Sequence, residues 1–349
     1  MKKTNVVKIG NKIIGGGNPV LIQSMLKLPP TDYKSIIKEI NDLEMLGCDI
    51  IRGTIPNMEA AEVIPEIIKN TNIPFVADIH FDYKVAIAAI KNGVHKVRIN
   101  PGNIGGKEKV REVVKCLKDY DIPVRIGVNS GSLEKDLLEK YKHPTAEALV
   151  ESAYRSISYF NEFDYDNIVL SIKSSDVTTT IDANRLFSEK YNYPLHLGVT
   201  EAGAELTGIV RSSIGLGTLL KEGIGDTIRV SLTGKSSDEV IVGKEILTSL
   251  GLMEEGVRIV SCPTCGRCKT DTLAIVKEIK EKTMHIKKPI TVAVMGCAVN
   301  GPGEAKEADM GVACGNGNAV FFEKGKQVTS IKTNEIASFI LERIAERIK

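Results

Sequence analysis

The chain has 349 residues, more than one hydrophobic core usually serves, so its length predicts two domains or a barrel with an appended domain. Hydrophobic residues make up 42% and charged residues 26%, which excludes a disordered, collagen-like or coiled-coil chain. Lys and Arg number 46 against 44 Asp and Glu, a net charge of +2, so any cationic surface for an anionic ligand must be local.

The amino terminus contains lysines but no continuous apolar run, so it does not predict a secretory signal. No window approaches the roughly 18 to 20 apolar residues that a membrane-spanning helix needs. We therefore expect a cytoplasmic protein without a membrane or nucleic-acid partner. In a reducing cytosol, clustered cysteines are metal ligands or redox groups more often than disulfides.

From residue 20 onwards, short apolar runs alternate with longer segments of helical period. The apolar runs are VLIQSM, DIIRGTI, PFVADI, HKVRIN, PVRIGVN, NIVLSIK, PLHLGVTE and TIRVSL. Each run is followed by a predicted helix, which gives eight strand–helix units by about residue 250. This pattern predicts a (β/α)8 barrel over residues 1–250, with a doubly wound open sheet as the alternative.

The rhythm changes after residue 250, which predicts a second, α+β domain over residues 251–349. One predicted strand ends in SCPTCGRC, a helix follows, and the next strand ends in CAVNGPGE. A glycine-rich hairpin region and a terminal amphipathic helix complete this domain.

The predicted barrel carries cations where its strands end. In such a barrel the functional side chains lie at the carboxyl ends of the strands, and residues two apart on a strand share a face. Five strand ends supply Arg52, Arg98, Arg125, Lys173 and Arg229. Because a guanidinium group matches phosphate oxygens, we predict a site for a small multiply charged anion, a diphosphate. The alternative is that these cations only pair with neighbouring carboxylates.

Polar and acidic residues accompany the cations at the strand ends. The candidate amide and hydroxyl ligands are Asn100, Asn129, Ser171 and Ser231. Asp78 with His80 forms a candidate acid–base pair, and Glu201 is a second candidate acid. A single histidine on a strand is more often structural, so the residues alone leave the proton donor open.

The second domain carries a group of cysteines at two successive strand ends. Cys262, Cys265 and Cys268 fall within seven residues, and Cys297 follows the next strand. Such thiolates favour zinc or an iron–sulfur cluster. A structural zinc site would use all four cysteines, although a helix starting near residue 269 would carry Cys268 away. The other candidate fourth ligand is Glu304, a weaker and exchangeable ligand for iron.

With both halves considered, the chain resembles the 4-hydroxy-3-methylbut-2-enyl diphosphate synthases of the bacterial two-domain type. The most specific motifs are SCPTCGR at 261–267 and GCAVNGPGE at 296–304. Five others support them: ADIHFD at 77–82, VRINPGN at 97–103, RIGVNSGSL at 125–133, SIKSSD at 171–176 and HLGVTEAG at 196–203. The resemblance spans essentially the whole chain. It implies a pterin-synthase-like barrel and a sulfite-reductase-like domain with one 4Fe-4S cluster.

The resemblance also implies a reaction and partners. The reaction is the reductive ring opening and dehydration of 2-C-methyl-D-erythritol 2,4-cyclodiphosphate to 4-hydroxy-3-methylbut-2-enyl diphosphate, in the methylerythritol phosphate pathway of isoprenoid synthesis. The protein would be an oxidoreductase that receives electrons from flavodoxin or ferredoxin. The implied assembly is a head-to-tail homodimer in which the cluster domain of one subunit covers the barrel mouth of the other.

The resemblance carries over to individual residues. The cluster ligands of the family match Cys262, Cys265, Cys297 and Glu304, which excludes Cys268. Its diphosphate-binding positions match Arg52, Arg98, Asn100, Arg125, Asn129, Lys173 and Arg229, although Arg52 stands in RGTIP where the family has RVAVP. Around the reacting carbons the matching residues are Asp78, His80, Glu201, Ser231 and Asn300. Glu201 is the preferred proton donor, and Asp78 with His80 is the second choice.

Two other interpretations rest on the residues alone. One is a non-redox barrel lyase or transferase that acts on a phosphorylated small molecule and has a structural zinc domain. The other is a zinc ribbon that binds nucleic acid. A second CxxC motif in a separate loop, tryptophan and a basic run are missing beside the cysteines, which argues against the zinc ribbon.

Overall fold

The computed structural model describes residues 1–254, 256–297, 303 and 306–348. The chain divides into two units, Met1–Met253 and Glu254–Lys349. The first unit runs past residue 250 because Leu252 and Met253 pack against its hydrophobic core. The assignment of residues 1–250 to substrate binding and of residues 251–349 to a cluster stays a prediction.

The chain begins with a hairpin that the sequence analysis did not predict. Its strands are β1 (Val7–Ile9) and β2 (Lys12–Ile14), which pair antiparallel. Apolar side chains of the hairpin pack against residues near the starts of three barrel strands, Ile50, Val76 and Val169. The hairpin therefore closes the amino-terminal end of the barrel.

Eight parallel strands form the barrel. They are β3 (Leu21–Met25), β4 (Ile50–Thr54), β5 (Phe75–Asp78), β6 (Lys96–Ile99), β7 (Val124–Asn129), β8 (Ile168–Lys173), β9 (His196–Leu197) and β10 (Thr227–Ile228). Their order is β8-β7-β6-β5-β4-β3-β10-β9. A parallel bridge between Leu170 and Leu195 joins the two ends, where the Leu170 amide donates to the Pro194 carbonyl at 2.9 Å. The predicted (β/α)8 barrel is confirmed, and the open-sheet alternative is wrong.

Ten helices follow the barrel strands. They are α1 (Tyr33–Met45), α2 (Met58–Glu62), α3 (Ile64–Lys69), α4 (Tyr83–Lys91), α5 (Lys107–Tyr120), α6 (Lys135–Tyr141), α7 (Ala146–Asn161), α8 (Val177–Lys190), α9 (Glu205–Lys221) and α10 (Ser236–Ser249). Several begin at a side chain that caps a free backbone N–H group: Asp32, Asn57, Asp82, Thr145 and Asp176. Four of these caps end the loops at the carboxyl ends of strands, and Thr145 ends the connection between α6 and α7.

The inner and outer faces of the barrel strands differ in polarity. On β6, Val97 and Ile99 belong to the apolar core between strands and helices, while Lys96 and Arg98 alternate with them and are buried. Most (β/α)8 barrels fill their interior with branched apolar side chains. The interior of this barrel instead carries charged and polar groups.

The second unit is built on a separate sheet. Its strands are β11 (Val257–Ser261), β12 (Ile290–Met295), β13 (Met310–Cys314), β14 (Asn318–Glu323) and β15 (Lys326–Lys332), in that order. The first three strands are parallel and the last two pairings are antiparallel. Helices α11 (Thr272–Thr283) and α12 (Ile336–Ile348) contribute apolar residues to its core. In the described ranges of both units, no helix is long and apolar enough to cross a membrane.

Candidate active site

Four of the five predicted cations lie near or just after the carboxyl ends of strands β4, β6, β8 and β10. Arg125 was predicted at a strand end as well, but it is the second residue of β7, in register with Arg98. Four of the five cations are buried, with exposed fractions of 8% for Arg52, 8% for Arg98, 1% for Arg125 and 7% for Lys173. Arg229 is less enclosed, with 15% of its side chain exposed. The charges of all four arginines act on Lys173, so the five side chains meet in one part of the barrel interior.

Asp78 is the first of two carboxylates among these cations. Its Oδ1 accepts a hydrogen bond from Arg98 Nη1 at 3.1 Å, and its Oδ2 lies 3.4 Å from Arg52 Nε. His80 Nε2 is 3.7 Å from Oδ2. Burial alone would raise the pKa of Asp78, but the charges of Arg52, Arg98 and Arg125 outweigh it and lower the pKa. Asp78 is therefore held ionised.

The second carboxylate is Glu239 on α10, which is 1% exposed. It accepts two hydrogen bonds from Arg229, from Nη2 at 3.0 Å and from Nε at 3.3 Å. It also accepts from Ser24 Oγ at 3.1 Å and from the Leu232 amide at 3.2 Å. Lys27 lies 3.8 Å from the same carboxylate. Glu239 thus orients Arg229 and fixes the loop that follows β10.

Arg125 and Lys173 have no carboxylate partner among the residues that the structure describes. Burial, followed by the nearby cations, holds the pKa of Lys173 well below its usual range. The same causes lower the pKa of Arg125. Buried cations without a counter-ion are costly, on the order of several kcal/mol each, unless an anion joins them. The interior therefore has a charge surplus that a bound anion would neutralise.

Two glycines make room for these cations. A Cβ atom on Gly127 would lie 2.7 Å from Arg98 Nη2, and one on Gly198 would lie 2.4 Å from Lys173 Nζ and 2.8 Å from the Arg229 carbonyl oxygen. Neither glycine is needed for its backbone angle; each clears space for a guanidinium or ammonium group.

The predicted polar ligands lie around the cations. Asn100 and Asn129 are half-buried, and Asn100 Oδ1 accepts from the Gly102 amide at 3.0 Å. Ser231 is half-buried beside Leu232, whose amide is held by Glu239. Ser171 is buried and donates to the Ile126 carbonyl oxygen at 3.3 Å, so its hydroxyl proton is already engaged.

The two candidate proton donors differ in their surroundings. His80 is exposed, and its one ion-pair neighbour in the described ranges is Asp78. Glu201 is also exposed and has a φ of +52°, a left-handed conformation that costs a non-glycine residue about 1 kcal/mol or more. The chain is fixed on both sides of it: the Thr200 amide donates to the Ser174 carbonyl oxygen, and Arg211 donates to that of Ala202. The loop thus holds Glu201 in a strained position at the end of β9.

Three residues of this interior were not predicted as site residues. Glu239 was missed because it lies on a helix, and its contact with Arg229 depends on the folded arrangement. Lys96 and His196 are both 0% exposed and lie inside the barrel. The sequence contains a signal that Lys96 faces the interior, because Lys96 stands two residues before Arg98 and therefore on the same strand face.

In the second unit, the cysteines follow two neighbouring parallel strands. Cys262 comes directly after β11 and Cys297 comes two residues after β12, and Ser261 pairs with Val294 across these strands. The Gly296 amide donates a hydrogen bond to Cys262 Sγ at 3.1 Å. The two loops therefore leave the same edge of the sheet side by side. Cys265 lies in the first loop and is exposed.

Cys268 is not carried away by the following helix, because α11 begins only at Thr272. Its thiol donates to the Thr270 carbonyl oxygen at 3.1 Å and lies 3.2 Å from Thr272 Oγ1. It also packs against Gly296, where an added Cβ would be 2.4 Å from Cys268 Sγ. All seven cysteines of the chain are described, and none forms a disulfide.

The cysteines fit a thiolate-bound metal centre by donor chemistry and by the adjacency of their loops. In the described ranges, no three His, Cys, Asp or Glu side chains lie close enough together to hold a metal ion. Asn300 and Glu304, predicted as a substrate ligand and as the fourth cluster ligand, lie outside the described residues. Their roles stay predictions.

Taken together, fold and site define a (β/α)8 protein with a cation-lined interior suited to a small anion, joined to a second unit with clustered thiols. The GcpE TIM-barrel domain model matches residues 4–244, and the model of the GcpE protein C-terminal domain matches residues 258–346. The chain therefore belongs to the GcpE family.

Relatives of known name match nearly the full chain. A 4-hydroxy-3-methylbut-2-en-1-yl diphosphate synthase (flavodoxin) from Caldanaerobacter subterraneus subsp. tengcongensis is 53% identical over 348 residues, covering 100% of this chain and 98% of its own. The protein of the same name from Clostridium perfringens is 53% identical over 343 residues, covering 98% of each chain. These identities bear out the resemblance found in the sequence.

Among solved structures, the barrel is similar to dihydropteroate synthase from Stenotrophomonas maltophilia, with a TM-score of 0.52 and 10% identity over 71% of this chain and 98% of that one. It is also similar to N-acetylneuraminic acid synthetase from Leptospira borgpetersenii, with a TM-score of 0.50 and 15% identity over 71% and 90% of the two chains. At such identities the likeness concerns the fold alone, and it confirms the pterin-synthase-like barrel. The predicted likeness of the second unit to sulfite reductases stays a prediction.

Proposed function

We propose that the protein catalyses the reductive ring opening and dehydration of 2-C-methyl-D-erythritol 2,4-cyclodiphosphate to 4-hydroxy-3-methylbut-2-enyl diphosphate. The observation that carries this proposal is the full-length identity of about half to synthases of that name, together with their shared family. The charge surplus inside the barrel supports a diphosphate substrate. In this reaction a C–O bond at the tertiary ring carbon breaks, two electrons enter, and one hydroxyl oxygen leaves as water.

The barrel cations bind the two phosphoryl groups. As the C–O bond breaks, negative charge grows on the departing phosphate oxygen, and Arg98, Arg125 and Lys173 stabilise it from a water-poor interior. Arg52 and Arg229 are held in place by Asp78 and Glu239. The remaining polar contacts come from Asn100, Asn129, Ser231 and Asn300.

Glu201 is the preferred proton donor to the leaving hydroxyl oxygen. Its exposure and fixed, strained backbone support a functional position. Asp78 is a poor donor by itself because its lowered pKa keeps it ionised, so the alternative donor is His80 with Asp78 as its acceptor. Full turnover by Glu201→Gln would exclude Glu201 from this role.

The residues that would hold a 4Fe-4S cluster are Cys262, Cys265, Cys297 and Glu304. When bound, such a cluster supplies single electrons at low potential and an iron whose carboxylate ligand is exchangeable. The hydrogen bond from the Gly296 amide to Cys262 Sγ supports this set, since backbone N–H groups at cluster sulfurs stabilise the thiolate form.

Metal analysis separates this function from a non-redox enzyme with structural zinc. Protein purified anaerobically should contain about four iron and four sulfide per chain. Stoichiometric zinc without sulfide would contradict the proposal.

Electrons come from a small cytoplasmic donor protein, flavodoxin or ferredoxin, and we place the enzyme in the cytoplasm with it. The names of the relatives specify flavodoxin. Comparing turnover with each purified donor, reduced to the same extent, identifies the better one.

The active assembly is a homodimer in which the barrel of one subunit works with the cluster domain of the other, as the sequence resemblance implies. Mixed dimers test it. An Arg125→Met subunit paired with a Cys297→Ser subunit should regain activity at one of the two sites. No recovery in isolated mixed dimers would contradict this assembly.

A further inference from the structure

Lys96 is the least expected residue of the barrel interior. It is 0% exposed, and its Nζ has no hydrogen-bond partner among the described residues. It lies on β6 two residues before Arg98, whose register partner on β7 is Arg125. Lys96 is therefore about 7 Å further into the barrel than Arg98, below the level of the predicted anion site.

The charges of the interior leave no counter-ion for Lys96. Asp78 is shared by Arg52 and Arg98, and Glu239 is engaged by Arg229. Lys173 and Arg125 already lack a carboxylate. Before Lys96 is counted, the five cations against two carboxylates leave three positive charges, so a protonated Lys96 would have no counter-ion in the free protein. A cyclic diphosphate carries two negative charges and would lower this surplus to one. An unpaired ammonium group at this depth is unfavourable, and a buried lysine responds by losing its proton.

We propose that Lys96 is a positioning residue beneath the anion site, uncharged in the free protein and protonated when the diphosphate binds. The proposal rests on the proposed function for the identity of the anion. The proton comes from solvent and goes to Nζ. The resulting ammonium group repels the Arg125 guanidinium towards the mouth and adds one positive charge to the site only while the anion is present.

The surroundings of Lys96 agree with this role. Burial, followed by the charges of Arg125 and Arg52, holds the pKa of Lys96 well below its usual range in the free protein. A bound dianion would act in the opposite direction and raise that pKa. The charged and titratable groups that face this part of the interior from the other strands are Arg52, Asp78, Arg125, Lys173 and His196.

Proton uptake on binding is the direct test. The oxidised, cluster-loaded protein is titrated calorimetrically with the cyclodiphosphate, without reductant, in buffers of different ionisation enthalpy. The phosphodiester groups of this ligand do not titrate near neutral pH. Wild type should take up about one proton more per ligand than Lys96→Met. Between the free and bound pKa values, the Kd of wild type should rise about tenfold per pH unit relative to that of the variant.

Lys118→Met, a change on the exposed face of α5, is the matched control and should behave as wild type. Lys96→Met should fold at least as stably as wild type, because methionine suits the buried position. Equal proton uptake by wild type and Lys96→Met would overturn the proposal. Lys173 and His196 would then account for any uptake.

A second ligand separates this proposal from the proposed function. Trimetaphosphate is a fully ionised cyclic phosphate without the carbon skeleton. If it binds and the cyclodiphosphate does not, the proposed function fails, and the Lys96 proposal is decided by proton uptake with trimetaphosphate. If neither ligand binds, both are contradicted.

Discussion

The barrel interior and the cysteine loops prepare their chemistry in different ways. In the barrel, parallel strands set the cations in place, and glycines such as Gly198 clear the space they occupy. In the second unit, Cys262 and Cys297 lie on neighbouring loops, where the Gly296 amide donates to Cys262 Sγ. The cations of the barrel are thus positioned on or directly after strands, whereas the cysteines lie in loops that follow β11 and β12.

This difference has an energetic counterpart. Arg125 and Lys173 are buried without counter-ions, so the free barrel is less stable than its packing alone would make it. The four clustered cysteines are half-buried or exposed and carry no such penalty: Cys262, Cys265, Cys268 and Cys297. We therefore expect ligand binding to stabilise the barrel and cluster loading to stabilise the second unit, each independently of the other.

The largest expected effect separates the two regions. Cys297→Ser should lose most of its iron and reduce turnover by about 1,000-fold or more, because the cluster loses a thiolate ligand. Cyclodiphosphate binding to the barrel, measured by calorimetry, should persist. Glu304→Ala is the matched variant: it should retain iron but lose most activity. A full iron content in Cys297→Ser would contradict the ligand set.

Arg125→Met should impair the barrel and leave the second unit intact, the reverse of Cys297→Ser. Turnover at low substrate should fall about 100-fold, since a charge-assisted contact with phosphate is worth about 3 kcal/mol. Thermal stability in the absence of ligand should stay the same or rise, because an unpaired buried charge is removed. Iron content should be unchanged. A clear loss of stability would mean that Arg125 is primarily structural.

Gly198→Ala should reduce turnover by about 10-fold, because the new Cβ would displace Lys173 Nζ, only 2.4 Å away. Gly217→Ala, in α9 with no atom within 4 Å of the added Cβ, is the control. It should keep full activity and gain about 0.5 to 1 kcal/mol of stability through helix propensity. Equal activity of the two variants would argue against a fixed position for Lys173.

The lowered pKa of Asp78 predicts how the stability of the barrel depends on pH. Its pKa is lower folded than unfolded, so the stability it contributes is present above the unfolded pKa, near 4, and is lost as pH falls through the folded value. Asp78→Asn should lower stability by about 3 kcal/mol at pH 7 and flatten its dependence on pH below 5. Thermal unfolding between pH 7 and pH 3 measures both. If the thermal stability of wild type and variant changed with pH in the same way, Asp78 would not be the source of the pH dependence.

The smallest effect is expected at Cys268. Its thiol contacts Thr270 and Thr272, and Cys268→Ser preserves a hydroxyl for both contacts. Iron content should be unchanged and turnover should stay within about twofold, an energy change below 0.5 kcal/mol. Loss of the cluster would instead make Cys268 a ligand and return the four-cysteine set to consideration.

The sequence is most informative where local order decides position. Arg98 could be assigned to the barrel interior near a strand end because side chains on a strand alternate and the strand–helix rhythm locates each strand end. Arg125 was assigned to a strand end as well, but it is the second residue of β7. The same rule applies to Lys96, but a lysine so deep in a barrel runs against the usual apolar filling. The eightfold alternation also predicts closure, since each unit has the length of a barrel repeat.

The sequence is least informative where distant segments meet. Glu239 gives no sign that it holds Arg229, because the contact joins α10 to the end of β10 and the loop after β3 through the closed barrel. The amino-terminal hairpin was missed because its strands have only three residues each. The position of Cys268 depends on where α11 begins, a boundary that helix periodicity locates poorly.

Turnover of the cyclodiphosphate tests the central claim most directly. The anaerobically purified, cluster-loaded protein is mixed with 2-C-methyl-D-erythritol 2,4-cyclodiphosphate and reduced flavodoxin, and products are identified by mass spectrometry. We predict one 4-hydroxy-3-methylbut-2-enyl diphosphate for every two electrons consumed. Absence of this product, from protein that holds its cluster and binds the substrate, would contradict the account.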